Sequence, residues 1–261
     1  MITKTIEGTS NPVESTTKLV NALFPSDDEE EDNDDQKVMR NFTSQWLRKN
    51  NNFSRPPPIT TYELHNAIFK FQEGKAPGYD GISPKILKNL WLSCPEIVLA
   101  IYNKCLDLCH LPYMWKTSII RIIPKPGKDD YCKTNAYRPI GLISTMGKTL
   151  ERIMAQRISS HLINNGHLST KQIGFIAGKS TDHAIFNINE QIESALATNE
   201  YVALISLDIR GAFDHAWHPF IIDQLIKYRT PKYLIKIMAD YQNDRRICTN
   251  LHINTFILTT V

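Results

Sequence analysis

The stretch that most constrains this chain is Tyr201-Val-Ala-Leu-Ile-Ser-Leu-Asp208. An uncharged, mostly apolar run, residues 202–207, drives into a carboxylate, and a second carboxylate follows at Asp214. Six such residues between polar ends read as a buried strand. A carboxylate at the end of a buried strand is costly unless a cation or hydrogen-bond donors meet it. Taken alone, an aspartate in that place more often caps the next turn. What Asp208 faces decides between a cap and a ligand.

The 261 residues, 42 % of them hydrophobic, can fill one large domain or two small ones. No apolar run approaches the roughly eighteen residues of a membrane span. The N-terminus lacks the apolar core of a signal peptide, so an intracellular protein of cytoplasm and nucleus is expected. Five irregularly spaced cysteines, Cys94, Cys105, Cys109, Cys132 and Cys248, suit free thiols in a reducing compartment. The net charge of +3 hides an uneven distribution: residues 26–35 hold eight acidic groups and no basic one, whereas Lys116–Arg157 carries nine basic against three acidic. A basic block beside a carboxylate suggests a polyanionic substrate, although a solvated surface explains charge alone equally well.

Residues 1–55 are polar and acidic, and are expected to form a flexible linker in which Leu19, Leu23 and Phe24 make a short docking patch. Pro56-Pro57-Pro58 marks the boundary of a folded part, 56–261. Thr60 and Glu63 form a capping-box pattern for a helix with Leu64, Ala67, Ile68 and Phe71 on one face. Ser83-Pro84 opens the next helix, and a third runs from Pro95 to His110 with Ile97, Val98, Ile101, Cys105 and Leu108 inward. Cys105, Cys109 and His110 lack a fourth ligand, which favours core cysteine over zinc. A strand is expected at Thr117–Ile123 and a long amphipathic helix at Thr145–Asn164, with Gly166 as its stop. A helix with Ile185, Ile188, Ile192 and Leu196 inward precedes the strand at 202–207. Two helices begin near Pro219 and Pro231, and a hairpin covers 246–260. The order is α+β.

Several short segments carry chemistry. Lys125 and Lys128 in Pro124-Lys-Pro-Gly-Lys128, with Arg138 in Tyr137-Arg-Pro-Ile140, can face a triphosphate, Arg as a bidentate fork and Lys as a point charge. Lys75-Ala-Pro-Gly-Tyr-Asp-Gly-Ile82 lacks the Gly-Lys-Ser/Thr of a phosphate-binding P-loop. Gly174-Phe-Ile-Ala-Gly-Lys-Ser-Thr181 is one residue short of that motif and suits a turn whose amides meet phosphate at a helix start. His215 and His218 are too few for a metal site.

In this order, with Leu207-Asp-Ile-Arg-Gly-Ala-Phe-Asp214, these segments resemble reverse transcriptases of non-LTR (LINE-type) retrotransposons, R1- or jockey-like, over residues 60–260. The resemblance implies a right-hand polymerase fold, here fingers and a partial palm after a disordered linker. It implies an RNA-directed DNA polymerase with RNA template, DNA primer and dNTPs as partners, and two Mg²⁺ ions about 3.5–4 Å apart at the reacting phosphate. Asp208 would be the catalytic metal ligand, helped by the Ile209 carbonyl. Lys125 and Arg138 would hold the triphosphate, and Phe213 the sugar. Gly174, Phe175, Gly178, Ser180 and Thr181 would contact the template. The family commonly has Arg where this chain has Ile176. Its Tyr-x-Asp-Asp strand and Pro-Gln-Gly motif have no counterpart before Val261, so a truncated domain, inactive as this chain, is expected. A non-catalytic nucleic-acid-binding remnant and an intron-maturase-type protein remain open alternatives.

Overall fold

Strand pairing organises the chain. A computed structural model describes residues 6–260 except 7, 10, 25, 26, 28, 51–53, 210, 211, 213–215, 253 and 254. It divides into two units, residues 1–158 with 218–261, and residues 159–217. In the first unit β1 (Thr117–Pro124) and β2 (Tyr137–Ile143) form an antiparallel ribbon. β3 (Arg246–His252) runs parallel to β1, and β4 (Thr255–Thr260) antiparallel to β3, giving the order β2-β1-β3-β4. The four β-branched isoleucines of β1 suit a central strand. β2 was not anticipated, because Pro139 lies within it opposite Ile122. As an edge strand β2 tolerates a residue that cannot donate to a ladder.

Helices α1 (Pro12–Leu23) and α2 (Asp34–Lys49) occupy the segment expected to be a flexible linker. Two local effects overturn that expectation. Leu19 and Val20 are buried, and Leu23 and Phe24 pack partly, so the apolar patch offsets the ordering of its own helix. The acidic run is gathered by Arg40, whose guanidinium reaches Asp32 at 2.6 Å, Asp27 at 3.0 Å and Glu29 at 3.7 Å. Hydrogen bonds to Asp32 and Asp27 raise the Arg40 pKa further.

α3 (Thr61–Phe69) starts on the Thr60–Glu63 capping box, and α4 (Pro84–Ser93) on Ser83 with proline in its first turn. α5 (Pro95–Leu108) departs from expectation: Val98 and Cys105 are buried, but Ile97, Ile101 and Leu108 are exposed. Tyr102 takes the inward place, because its hydroxyl donates to the Met146 carbonyl at 3.0 Å and so can be buried without an unpaired polar group. The short α6 (Tyr113–Lys116) leads into β1. α7 (Thr145–Asn164) has the expected bounds and buries Met146, Leu150, Ile153, Met154 and Ile158. Arg157 of α7 pairs with Glu63 at 2.9 Å and donates to the Pro57 and Pro58 carbonyls, fastening the proline run.

α8 (Thr181–Ala197) belongs to the second unit and buries none of its residues, against the inward face expected for Ile185, Ile188, Ile192 and Leu196. α9 (His218–Lys227) and α10 (Lys232–Gln242) return to the first unit and pack on each other. The run 202–207, expected as a buried strand, is neither strand nor buried: Leu204 is 72 % and Leu207 90 % exposed. A strand exists only through its neighbours, and all four described strands pair among themselves. Among the described residues no helix is long and apolar enough to cross a membrane, and the five cysteines are free.

Candidate functional site

The β1–β2 ribbon has two unlike faces. Side chains alternate along a strand, and residues paired across an antiparallel ladder share a face. Ile120, Ile122 and Tyr137 turn inward, the first and last buried. Arg121 stands opposite Ile140, and Ile123 opposite Arg138; all four are exposed. The outward face is therefore a checkerboard of two guanidiniums and two isoleucines. Diagonal neighbours in such a ladder lie about 7–8 Å apart.

Lys125 directly follows β1, so the structure brings Lys125 and Arg138 together on one ribbon. The Lys125 amide donates to the Ala136 carbonyl at 2.8 Å, and its Nζ donates to the Asn135 carbonyl at 3.0 Å. Two ammonium protons remain for another acceptor. The connecting loop is stacked on itself. The Tyr131 hydroxyl donates to the Lys125 carbonyl, and the Tyr137 hydroxyl to the Tyr131 carbonyl, each at 2.9 Å. The two rings meet edge to face, 6.4 Å apart. The Cys132 amide, donating to Asp130 at 2.8 Å, holds that carboxyl below the usual carboxylate range, and burial raises the Tyr137 phenol.

Most of the described arginines are engaged. Arg40, Arg55, Arg157 and Arg246 pair with carboxylates, Arg152 lies over Phe71, and Arg245 over Tyr241. Arg121 and Arg138 share an open face, with no acidic partner among the described residues. Arg121 was missed in the sequence. Its signal, strand alternation from Ile123, acquires meaning only once the register sets it beside Arg138.

The Lys75–Ile82 signature is a clasp. A side chain on Gly78 would sit 2.3 Å from the Ser144 amide nitrogen, so the loop backbone lies flat against the β2–α7 junction. The Ser144 hydroxyl donates to Asp80 and accepts from the Gly147 amide at 3.1 Å, while Asp80 also accepts from the Ile82 amide at 3.2 Å.

In the second unit, the turn before α8 carries Gly174, Phe175, Gly178 and Ser180, and Thr181 opens the helix. Phe175 and Gly178 have left-handed backbones (φ 60° and 79°), and Phe175 is 92 % exposed. Lys179 pins the turn through the Thr170 and Gln172 carbonyls at 3.0 and 2.7 Å. The Ser180 amide donates to His183 Nδ1 at 3.0 Å, so this donor, expected for phosphate, is already used within the helix start. Asp208 and Ile209 are exposed and outside any strand. Phe213 lies outside the described residues, as do Asp214 and His215.

Mg²⁺ prefers several oxygen ligands, commonly one or two carboxylates with substrate phosphates. Asp208 with the Ile209 carbonyl offers one carboxylate and one neutral oxygen. Among the described residues no three His, Cys, Asp or Glu gather into a metal site. A pair of ions is not accommodated by these residues alone.

Residues 123–255 match the family model described as "Reverse transcriptase (RNA-dependent DNA polymerase)". The chain is 34 % identical over 198 residues to a probable RNA-directed DNA polymerase from transposon X-element of Drosophila melanogaster, covering 75 % of the chain and 22 % of that protein. It is 31 % identical over 160 residues to a retrovirus-related Pol polyprotein from the type-1 retrotransposable element R1 of Bradysia coprophila, covering 61 % and 16 %. It is 29 % identical over 187 residues to the RNA-directed DNA polymerase from mobile element jockey of Drosophila melanogaster, covering 72 % and 20 %. The chain thus spans about a fifth of the length of these relatives.

Proposed function

The chain belongs to the reverse transcriptase (RNA-dependent DNA polymerase) family in its non-LTR retrotransposon form, and we propose that it supplies the fingers and first part of the palm of a right-hand polymerase copying element RNA into DNA. Residues 56–261 would be that partial domain, with 1–55 ahead of it. The observation that carries this reading is the outward face of the β1–β2 ribbon, where Arg121 and Arg138 stand open beside Lys125. Guanidiniums there suit phosphate oxygens, and the two isoleucines suit sugar or base edges. Lys125 and Arg138 would take the triphosphate of a dNTP and Phe213 its sugar. Arg121 would take a strand phosphate. Gly174, Phe175, Gly178, Ser180 and Thr181 would touch the template, with His183 giving way at the Ser180 amide.

The family uses divalent metal ions, and Mg²⁺ is the proposed one. Asp208 and the Ile209 carbonyl would be part of its ligand set, and the metal would supply charge neutralisation at phosphorus. The exposed, strand-free state of 201–209 favours a second reading, in which this chain grips nucleic acid without turnover. Primer extension on an RNA template with Mg²⁺ and dNTPs, comparing wild type with Asp208→Asn, separates the two. Extension lost in the variant supports catalysis. Retained RNA binding with no extension in either protein supports grip alone. Absence of RNA binding removes both. Arg121→Ala should lower the slope of log RNA affinity against log salt by about 0.7 for a single strand, whereas Arg138→Ala should leave that slope unchanged and weaken dNTP binding.

A further inference from the structure

We infer that α1 is a positioning element for the phosphate-facing ribbon, so that residues ahead of the matched segment 123–255 set the geometry of Lys125 and Arg138. This rests on the reading of that ribbon as a triphosphate site. The ribbon's inward face is covered by α1 side chains. Leu19 is fully buried in one cluster with Ile6, Ala136 and Tyr137, and Val20 is buried in another with Ile120 and Ile247. Leu23 packs against the first cluster and Phe24 against the second. The helix is anchored at its own start. Asn11 accepts from the Glu14 amide at 2.9 Å, the Ile6 amide donates to the Ser15 hydroxyl at 3.2 Å, and the Thr9 hydroxyl donates to the Ile6 carbonyl at 2.6 Å.

From Leu19 a continuous path leads to the cation. Leu19 shares its cluster with Tyr137, which donates to Tyr131, which donates to the Lys125 carbonyl. Tyr137 is also the residue before Arg138. Residues 126–130 are exposed throughout, so the loop takes its order from Ala136, Tyr137 and Tyr131, and these rest partly on α1. Shortening Leu19 leaves a void under Ala136 and Tyr137 that the polar loop cannot fill. The loop then opens more often, and phosphate contacts that need Lys125 and Arg138 at fixed separation weaken.

The test uses the full chain. Leu19→Ala is compared with Val98→Ala, which removes an equally buried side chain on α5 outside both clusters. Amide hydrogen exchange at 125–137 should accelerate about tenfold in Leu19→Ala and stay within about twofold in Val98→Ala. The Kd for dATP should rise about fivefold in Leu19→Ala alone. Should Leu19→Ala fail to fold, Leu23→Ala in the same cluster replaces it, with an expected acceleration of about threefold. Equal exchange in the two variants overturns the proposal, since α1 would then be ordinary core. Selective acceleration without dATP binding in wild type keeps α1 as the support of the loop and removes the triphosphate reading.

Discussion

Two glycine-rich loops, 75–82 and 174–181, look alike on paper, and the molecule treats them in opposite ways. In the first, Gly78 has no room for a side chain and Asp80 is tied to Ser144, so the loop is a clasp. In the second, Gly174 and Gly178 have open space where a side chain would go, and Phe175 points into solvent. The first glycine serves internal packing. The second pair leaves a backbone approachable from outside, as a nucleic-acid strand would require.

Substitutions can break or sharpen that contrast. Gly78→Ala drives a methyl into the Ser144 backbone and should cost about 3 kcal/mol or more, lowering Tm by about 6 °C or more. A melt within 2 °C of wild type, on an instrument resolving about half a degree, would sink the clasp. Ser144→Ala removes the hydroxyl that joins Asp80 to the α7 start, and urea titration should register a loss of about 1–2 kcal/mol. Gly178→Ala meets no neighbour but must hold φ near +79°, so a loss of about 1 kcal/mol is expected from the same titration. Gly174→Ala has open space and no left-handed backbone, so stability should stay within about 0.5 kcal/mol. Its effect should appear instead as weaker binding of single-stranded RNA by fluorescence anisotropy. Unchanged affinity there would remove the proposed template role of the turn.

The contrast also shows what a sequence can disclose. Signals carried by residues close in sequence were legible: the Thr60–Glu63 capping box, Ser83-Pro84, and the periodic span Thr145–Asn164 of α7. Properties conferred by distant neighbours were not. Pro139 hid β2, because edge position is a property of the whole sheet. Tyr102 displaced the expected stripe of α5 through a partner 44 residues away. Lys125 and Arg138 were found by motif, but Arg121 required the register of two strands. The run 202–207 had the composition of a strand, yet pairing, rather than composition, makes one. The helical nature of 12–23 escaped because average polarity outweighed a short apolar patch: Leu19, Leu23 and Phe24 stood out in the sequence, but the neighbours they pack against did not.

The parallel pairing of β1 with β3 has a consequence for how the chain comes into being. Ser118 pairs with Ile247, a partner about 130 residues later. The β1–β2 ribbon closes over a short loop and can form as soon as it is made, whereas its other edge stays bare until β3 is synthesised. At ribosomal rates that interval is roughly ten seconds. During it, the unpaired backbone of β1 is open to wrong strands, including those of neighbouring nascent chains.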